Sequence, residues 1–275
     1  MIEDPGKGAR RGLAVPWEGL SQYLPAVTMI LMLLAVWQAA TAIWDIQKWL
    51  LPSPLQIGRA AVEARQFLGP HVWQTAKETL LGFAVALGAG TLLALAIDFS
   101  PTLRKAIYPL LVVSQTIPTI AIAPLLVIWL GYGILPKIIV VALVCFFPIV
   151  VNLADGLRSA DPDLIALLQS MRATRRDVFF KVRLQGAMPA FFSGVKIAIT
   201  YSVIGAIMGE WVGASRGLGI FMLRATNSFR TDWVFVAIGI TALMSIILFL
   251  LVVVLERALL PWYYTAERAE RWEEL

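Results

Sequence analysis

The chain has 275 residues, of which 59% are hydrophobic and 15% charged, and a formal net charge of +5. A soluble globular domain carries roughly 45–50% apolar and about 25% charged residues. Here the apolar residues come in long blocks, so a bilayer is the environment that accommodates the excess. The one cysteine, Cys145, excludes an intramolecular disulfide, and the one histidine, His71, excludes a histidine-cluster metal site. No basic stripe is interleaved with aromatics, so nucleic acid is not an expected partner.

Residues 1–23 are polar and mixed, and lack the short apolar core and cleavage site of a secretory signal. They are expected to be a cytoplasmic segment preceding a membrane domain over 24–260. A span takes about 20 mainly apolar residues, and the first such block is 24–44. Leu51-Pro52-Ser53-Pro54 follows, with Ser53 placed to cap a helix that has Pro54 at its first position. Ile57, Ala60, Ala61 and Ala64 then share one face. The stretch is read as a helix lying at the outer interface, with a helix packed on the bundle as the alternative.

The second span is expected at 79–97 with an amphipathic lead-in from His71. The third is expected at 106–130, broken by Pro109, Pro118 and Pro124, and the fourth at 138–152, kinked by Pro148. The fifth is expected to start at Pro189 and run to 208, and the sixth covers 235–255. Residues 261–275 form a tail. The expected fold class is therefore all-α, a polytopic membrane protein of about six transmembrane helices, because the blocks are too long and too uniformly apolar for barrel strands.

Cation placement sets the orientation. Lys7, Arg10 and Arg11, then Arg104 and Lys105, then Arg158, Arg172, Arg175, Arg176, Lys181 and Arg183, then Arg257, Arg268 and Arg271 fall on one side if there are six spans. That side, with both termini, is expected to be cytoplasmic. The short turn between the third and fourth spans has only Lys137, although the longer outer segments carry Arg216, Arg224 and Arg230.

The loop over 158–188 is not a plain linker. Asp161 is placed as an N-cap with Pro162 at the first helical position, and Asp163 suits the positive helix end. Leu164, Leu167, Leu168 and Met171 follow at i, i+3, i+4 and i+7, forming one apolar face. After a break near Ala173-Thr174 comes a second short amphipathic helix containing Phe179 and Val182. By physics alone these helices either lie on lipid headgroups or dock a cytoplasmic subunit.

The stretch 163–194 resembles the cytoplasmic loop of permease subunits of binding-protein-dependent ABC importers. Ala173 and Thr174 match the A-[ST] of that loop, and Phe179, Val182, Leu184, Pro189 and Gly194 match later positions. Arg172 stands where the family has glycine, Gln185 where it usually has proline, and Ala166-Leu167-Leu168 where it opens with an acid. Leu51 to Pro54, Gln115 to Pro118, Ala123 to Leu125 and Trp129 to Gly133 resemble the nitrate, sulfonate and taurine branch. The stretch 198–219 is similar to permeases for hydroxymethylpyrimidine-type thiamine precursors and riboflavin.

The resemblance implies a cytoplasmic coupling-helix elbow gripped by an ATPase, formed by Asp163, Leu164, Leu167, Leu168, Met171, Arg172, Ala173, Thr174, Phe179 and Val182. It also implies two ATPase copies, a second permease copy (a homodimer), an extracytoplasmic substrate-binding protein, and residence in a bacterial cytoplasmic membrane. The chain has no Walker-type phosphate loop, so no cofactor, no metal and no catalytic residue is expected in it, and ATP is used by the partner.

Polar groups within spans are costly unless they face a cavity or a partner. The pathway candidates are accordingly Gln115, Thr116 and Thr119, with Ser114 beside them, and Tyr201, Ser202, Glu210 and Trp211, with Thr200. For the hydroxyls, helix–helix packing or bonding back to the helix is the alternative. Glu210 is read as an outer gate, a partner of Arg216 or a helix-end charge, and Lys196 as a cation that snorkels inward. The expected cargo is a thiamine-precursor pyrimidine or a riboflavin-like solute, with sulfonate, taurine or nitrate as alternatives. An ion-coupled secondary transporter is more distant, because no inverted repeat is evident.

Overall fold

The computed structural model describes residues 24–263. The segment 1–23, the tail from 264 onward, and the orientation cations Lys7, Arg10, Arg11, Arg268 and Arg271 lie outside the described residues. Within them the order is α1 (Leu24–Ile43), α2 (Pro54–Phe99), α3 (Pro101–Ser114), α4 (Thr119–Leu130), α5 (Leu135–Arg158), α6 (Pro162–Ser170), α7 (Arg175–Val178), a π-helical turn (Phe179–Arg183), α8 (Leu184–Trp211), α9 (Leu218–Asn227) and α10 (Thr231–Leu259). No strand occurs among the described residues, so the all-α class holds.

Five helical stretches are long and apolar enough to cross a membrane, and the bent α3–α4 pair brings the number to six if it is one span. At 14 and 12 residues, α3 and α4 reach only about 21 and 18 Å. Each is shorter than a hydrocarbon core of about 30 Å.

The centre of the bundle is α5, packed along one side on α8 and along another on α2. Val141, Cys145 and Ile149 meet Ala86 of α2 and Ala198 and Ala206 of α8. Lipid tails are as apolar as leucine, so burial alone gives little drive between spans, and close approach of small residues takes its place. Gly194 shows how close that approach is. A Cβ there would stand 2.5 Å from the Pro148 carbonyl oxygen. By contrast α1 buries only Thr41. It is tied to the bundle by the Leu55 N–H donating to Gln38 Oε1 at 3.2 Å and by Trp37 against Phe235, with ring centroids 5.5 Å apart.

The structure departs from the sequence expectations in several places. The outer amphipathic stretch and the second span are one helix of 46 residues, opened by a capping box between Ser53 and Gln56 and continuous through Pro70. Its face of Ile57, Ala60, Ala61 and Ala64 packs on Leu218, Phe221 and Met222 of α9 and Val236 and Ala237 of α10, so the partner is protein and not the interface. Helix α9 itself was not anticipated from the sequence.

In the third span only the Gln115–Pro118 region breaks, with a bend of 99°. Pro109 and Pro124 sit inside helices. Proline at 118 disfavours the helical region for the residue before it, and the last turn of α3 tightens through the N–H groups of Gln115 and Thr116 onto Val112 and Val113. The fourth and sixth spans extend beyond 138–152 and 235–255 at both ends. The fifth does not start at Pro189, which lies within α8. The second short helix of the loop is instead the beginning of a 37-residue helical stretch, Arg175–Trp211.

Candidate functional site

The elbow between α5 and α8 is built by two reinforced helix ends. Asp161 caps α6, its carboxylate accepting the Asp163 N–H at 2.8 Å. The helix stops in a paired turn, with the Arg172 N–H donating to the Gln169 carbonyl at 2.9 Å and the Ala173 N–H to the Leu168 carbonyl at 3.0 Å. Such a turn needs a left-handed residue, and Arg172 supplies it with φ 61°. The bend is thus made as glycine would make it, by a residue that bears a steric cost there.

Thr174 then opens α7 with a capping box. Its N–H donates to Asp177 Oδ2 at 3.1 Å, and the Asp177 N–H donates back to its hydroxyl at 3.2 Å. Lys181 closes on Asp177 Oδ1 at 2.8 Å.

The sequence-assigned elbow residues divide into two faces. Leu164, Leu167 and Met171 are exposed, Leu167 at 56%, beside exposed Asp163 and Arg172. Leu168, Ala173, Phe179 and Val182 are half-buried. Phe179 sits against Phe99 of α2, with centroids 5.4 Å apart. Arg183 donates to Asp98 Oδ1 at 2.6 Å and to the Leu157 carbonyl at 3.0 Å. One face is therefore open, and the other roots the elbow in the bundle.

The pathway candidates divide as well. On α8 the exposed positions Ile197, Thr200, Tyr201, Ile204 and Trp211 recur at helical spacing and form a stripe. Ser202 is buried and donates to the Ile199 carbonyl at 2.6 Å, so it is not on that stripe. Gln115 and Thr116 are exposed at the α3–α4 break and Thr119 is half-buried. The hydroxyls of Ser114, Thr116 and Thr200 bond back to Leu111, Val113 and Lys196 at 2.7, 2.8 and 2.9 Å. Lys196 pairs with Glu256 of α10 at 3.0 Å, which ties α8 to the last helix in place of the snorkelling expected from the sequence.

Glu210 is neither an exposed gate nor a partner of Arg216. It is fully buried in a polar knot that sequence reasoning missed. Its Oε1 accepts the Thr75 hydroxyl at 2.6 Å, and its Oε2 accepts the Gly219 N–H. Thr75 Oγ1 in turn accepts the Leu218 N–H at 2.8 Å, and His71 Nδ1 accepts the Gly217 N–H at 3.0 Å. Gly217, at φ 136°, lies so close over the carboxylate that any Cβ would overlap it.

Lys137 pairs with Glu78 at 3.1 Å, both buried, and Gln74 donates to the same oxygen at 2.8 Å. A signal was present in the sequence. His71, Gln74, Thr75 and Glu78 follow at i, i+3, i+4 and i+7, a polar stripe just ahead of the apolar run that begins at Leu80. The knot satisfies the N–H groups that open α9 and holds the α8–α9 turn against α2. Among the described residues no group of His, Cys, Asp and Glu is arranged to hold a metal ion.

Residues 86–261 match the family model of the binding-protein-dependent transport system inner membrane component. The formylaminopyrimidine transport permease protein ThiX of Halalkalibacterium halodurans is 39% identical over 242 residues, covering 88% of this chain and 96% of that protein. The riboflavin transport system permease protein RibX of Chloroflexus aurantiacus is 33% identical over 248 residues, covering 90% and 91%. The taurine transport system permease protein TauC of Escherichia coli is 29% identical over 260 residues, covering 92% and 94%. In fold, the chain is similar to the MetNI methionine ABC transporter in an inward-facing conformation, with a TM-score of 0.62 at 18% identity over 71% of this chain and 97% of that one. The chain belongs to the family of binding-protein-dependent transport system inner membrane components, as an ABC importer permease.

Proposed function

We propose that this permease imports a pyrimidine-type vitamin precursor, driven by a separate ATPase that grips the α6–α7 elbow from the cytosol. The carrying observation is mechanical. The elbow has an open apolar face, and it continues through the π-turn into α8, which presents the Tyr201 stripe. The second elbow helix and the pathway face therefore belong to one rod of 37 residues, about 55 Å long, and the open face of α6 is joined to its foot by the turn at 171–174. A tilt of about 5° at the elbow displaces the far end by roughly 5 Å. Rigid-body tilting of this kind is the usual route to alternating access.

The remaining partners follow from the same reading: two ATPase copies that use the ATP, a second copy of this permease facing the α8 stripe, and an external binding protein that delivers substrate. The α3–α4 pair counts as one bent span. Arg104 and Lys105, the elbow cations and both termini then share the cytoplasmic side, as the positive-inside rule favours.

The pyrimidine reading is supported by the likeness to a formylaminopyrimidine permease, and by Tyr201 and Trp211, whose exposed rings suit stacking on a flat heteroaromatic ring. Two measurements test the proposal. Leu167→Glu should leave the permease folded and abolish co-purification of the ATPase. Retention of the ATPase would defeat the docking role. In proteoliposomes with the binding protein, a formylaminopyrimidine should stimulate ATP hydrolysis more than riboflavin or taurine, and taurine ranking first would overturn the substrate.

A further inference from the structure

Beside the elbow, α2, α3, α5 and the π-turn enclose a cleft of about 660 Å³ whose cations, beyond setting the orientation, have no part in the transport reading. Four cations line it: Arg104, Lys105, Arg158 and Arg183. Two are already neutralised. Arg183 pairs with Asp98 at 2.6 Å and Arg104 with Asp155 at 3.3 Å. Lys105 and Arg158 have no carboxylate within ion-pair distance among the described residues, so the cleft holds two uncompensated positive charges.

The walls are not those of a soluble-anion site. Ile97 and Pro109 line the cleft, and Val112, one turn further along the same side of α3, is 49% exposed. The Tyr108 hydroxyl reaches Asp155 at 3.3 Å at the rim. The polar end therefore lies where two spans meet the cytoplasmic surface, and an open apolar track leads from it along a span into the hydrocarbon. Cations at the headgroup level above an apolar track match an anionic phospholipid, with a phosphodiester at the rim and an acyl chain on the helix.

We propose that this cleft is a binding site for an anionic phospholipid of the cytoplasmic leaflet, with Lys105 and Arg158 as the residues that hold the phosphate. The assignment of leaflet rests on the orientation proposed above. The lipid binding itself does not depend on ATPase docking, so the two can fail separately. An occupant here would bridge α3 to the foot of the elbow and stiffen the root about which the α8 rod tilts.

The test uses the full chain, purified with its partners and reconstituted in phosphatidylcholine with or without phosphatidylglycerol. Native mass spectrometry should show a retained phosphatidylglycerol that the Lys105→Ala, Arg158→Gln double variant holds roughly thirtyfold more weakly, about a factor of five per cation. Neither substitution touches the Arg183–Asp98 pair, and an unchanged thermal midpoint in phosphatidylcholine shows that the double variant is folded. Lys77→Ala, a cation elsewhere on α2 beside Trp73, should retain the lipid. Equal retention by the double variant, equal loss in Lys77→Ala, or equal binding of phosphatidylcholine would overturn the proposal. Millimolar inorganic phosphate protecting the protein as well as the lipid does would reassign the cleft to a soluble anion and overturn it too.

Discussion

Thr75 and Glu210, 135 positions apart, meet in the interior with the hydroxyl donating to the carboxylate at 2.6 Å. The same hydroxyl oxygen accepts the Leu218 N–H at 2.8 Å, so a single side chain of α2 couples the end of α8 to the start of α9. Thr75→Val keeps the shape and removes both bonds, leaving a buried carboxylate oxygen and a buried N–H without partners. Each such group costs about 1–3 kcal/mol. The variant should lower the thermal midpoint of the purified permease and speed amide exchange at Leu218 and Gly219. Unchanged exchange there would mean that the knot does not hold the turn.

The pair of Lys137 and Glu78 is a second strut in the same knot, with the lysine side chain 8% exposed and the glutamate fully buried. Removing one partner of a buried pair strands the other charge, at about 3–5 kcal/mol. Lys137→Met alone should therefore destabilise more than Lys137→Met with Glu78→Gln, in which no charge is stranded and Gln74 still has an oxygen to bond. Thermal unfolding in detergent decides the order, and a double variant less stable than the single would contradict this account.

The spans were legible from apolar block length, because the bilayer imposes it. Their ends were not, because helices run past the hydrocarbon where solvated or packed backbone allows it, as at Leu135 and Arg158 of α5. The continuity of α2 was hidden by Gly69-Pro70, a pair that reads as punctuation in water. Neighbouring elements in a bundle can support such a proline within a helix. The elbow residues were named from periodicity and resemblance, but their division into an open face and a rooted face depends on Phe99 and Asp98, which lie far away in sequence. Glu210 was singled out as costly in a span. Its partners were not found, since Thr75 and Gly219 become neighbours only through the fold.

Close packing gives the third prediction. Gly194 lets α8 rest on the α5 backbone, where a Cβ would stand 2.5 Å from the Pro148 carbonyl oxygen and 2.7 Å from Asn152 Cβ. Gly194→Val cannot be relieved by a rotamer change at Pro148, because the obstacle is backbone. Overpacking of this kind costs about 1–3 kcal/mol. It should separate the two helices, depressing both the thermal midpoint and transport. Gly58→Val, at a position with open space around it, serves as the control and should leave both nearly unchanged.

The elbow turn supplies the last. Arg172 holds φ 61°, a left-handed conformation that costs a non-glycine residue roughly 1–2 kcal/mol. Glycine would remove that strain but lose about 0.5–1 kcal/mol of chain entropy, so Arg172→Gly should stabilise the turn by about 0.5–1 kcal/mol net. The amide of Ala173, which closes the turn on the Leu168 carbonyl at 3.0 Å, reports on this directly, and its hydrogen exchange should slow about two- to fivefold. Arg172→Val should do the opposite, since a β-branched residue tolerates the left-handed region least. If the ATPase docks on the elbow as proposed, a firmer turn transmits more of its stroke to α8, and Arg172→Gly should also raise the number of solutes moved per ATP. If Ala173 exchanges faster in the glycine variant, the arginine side chain supports the turn in a way that its backbone angle does not reveal, and the strain account fails.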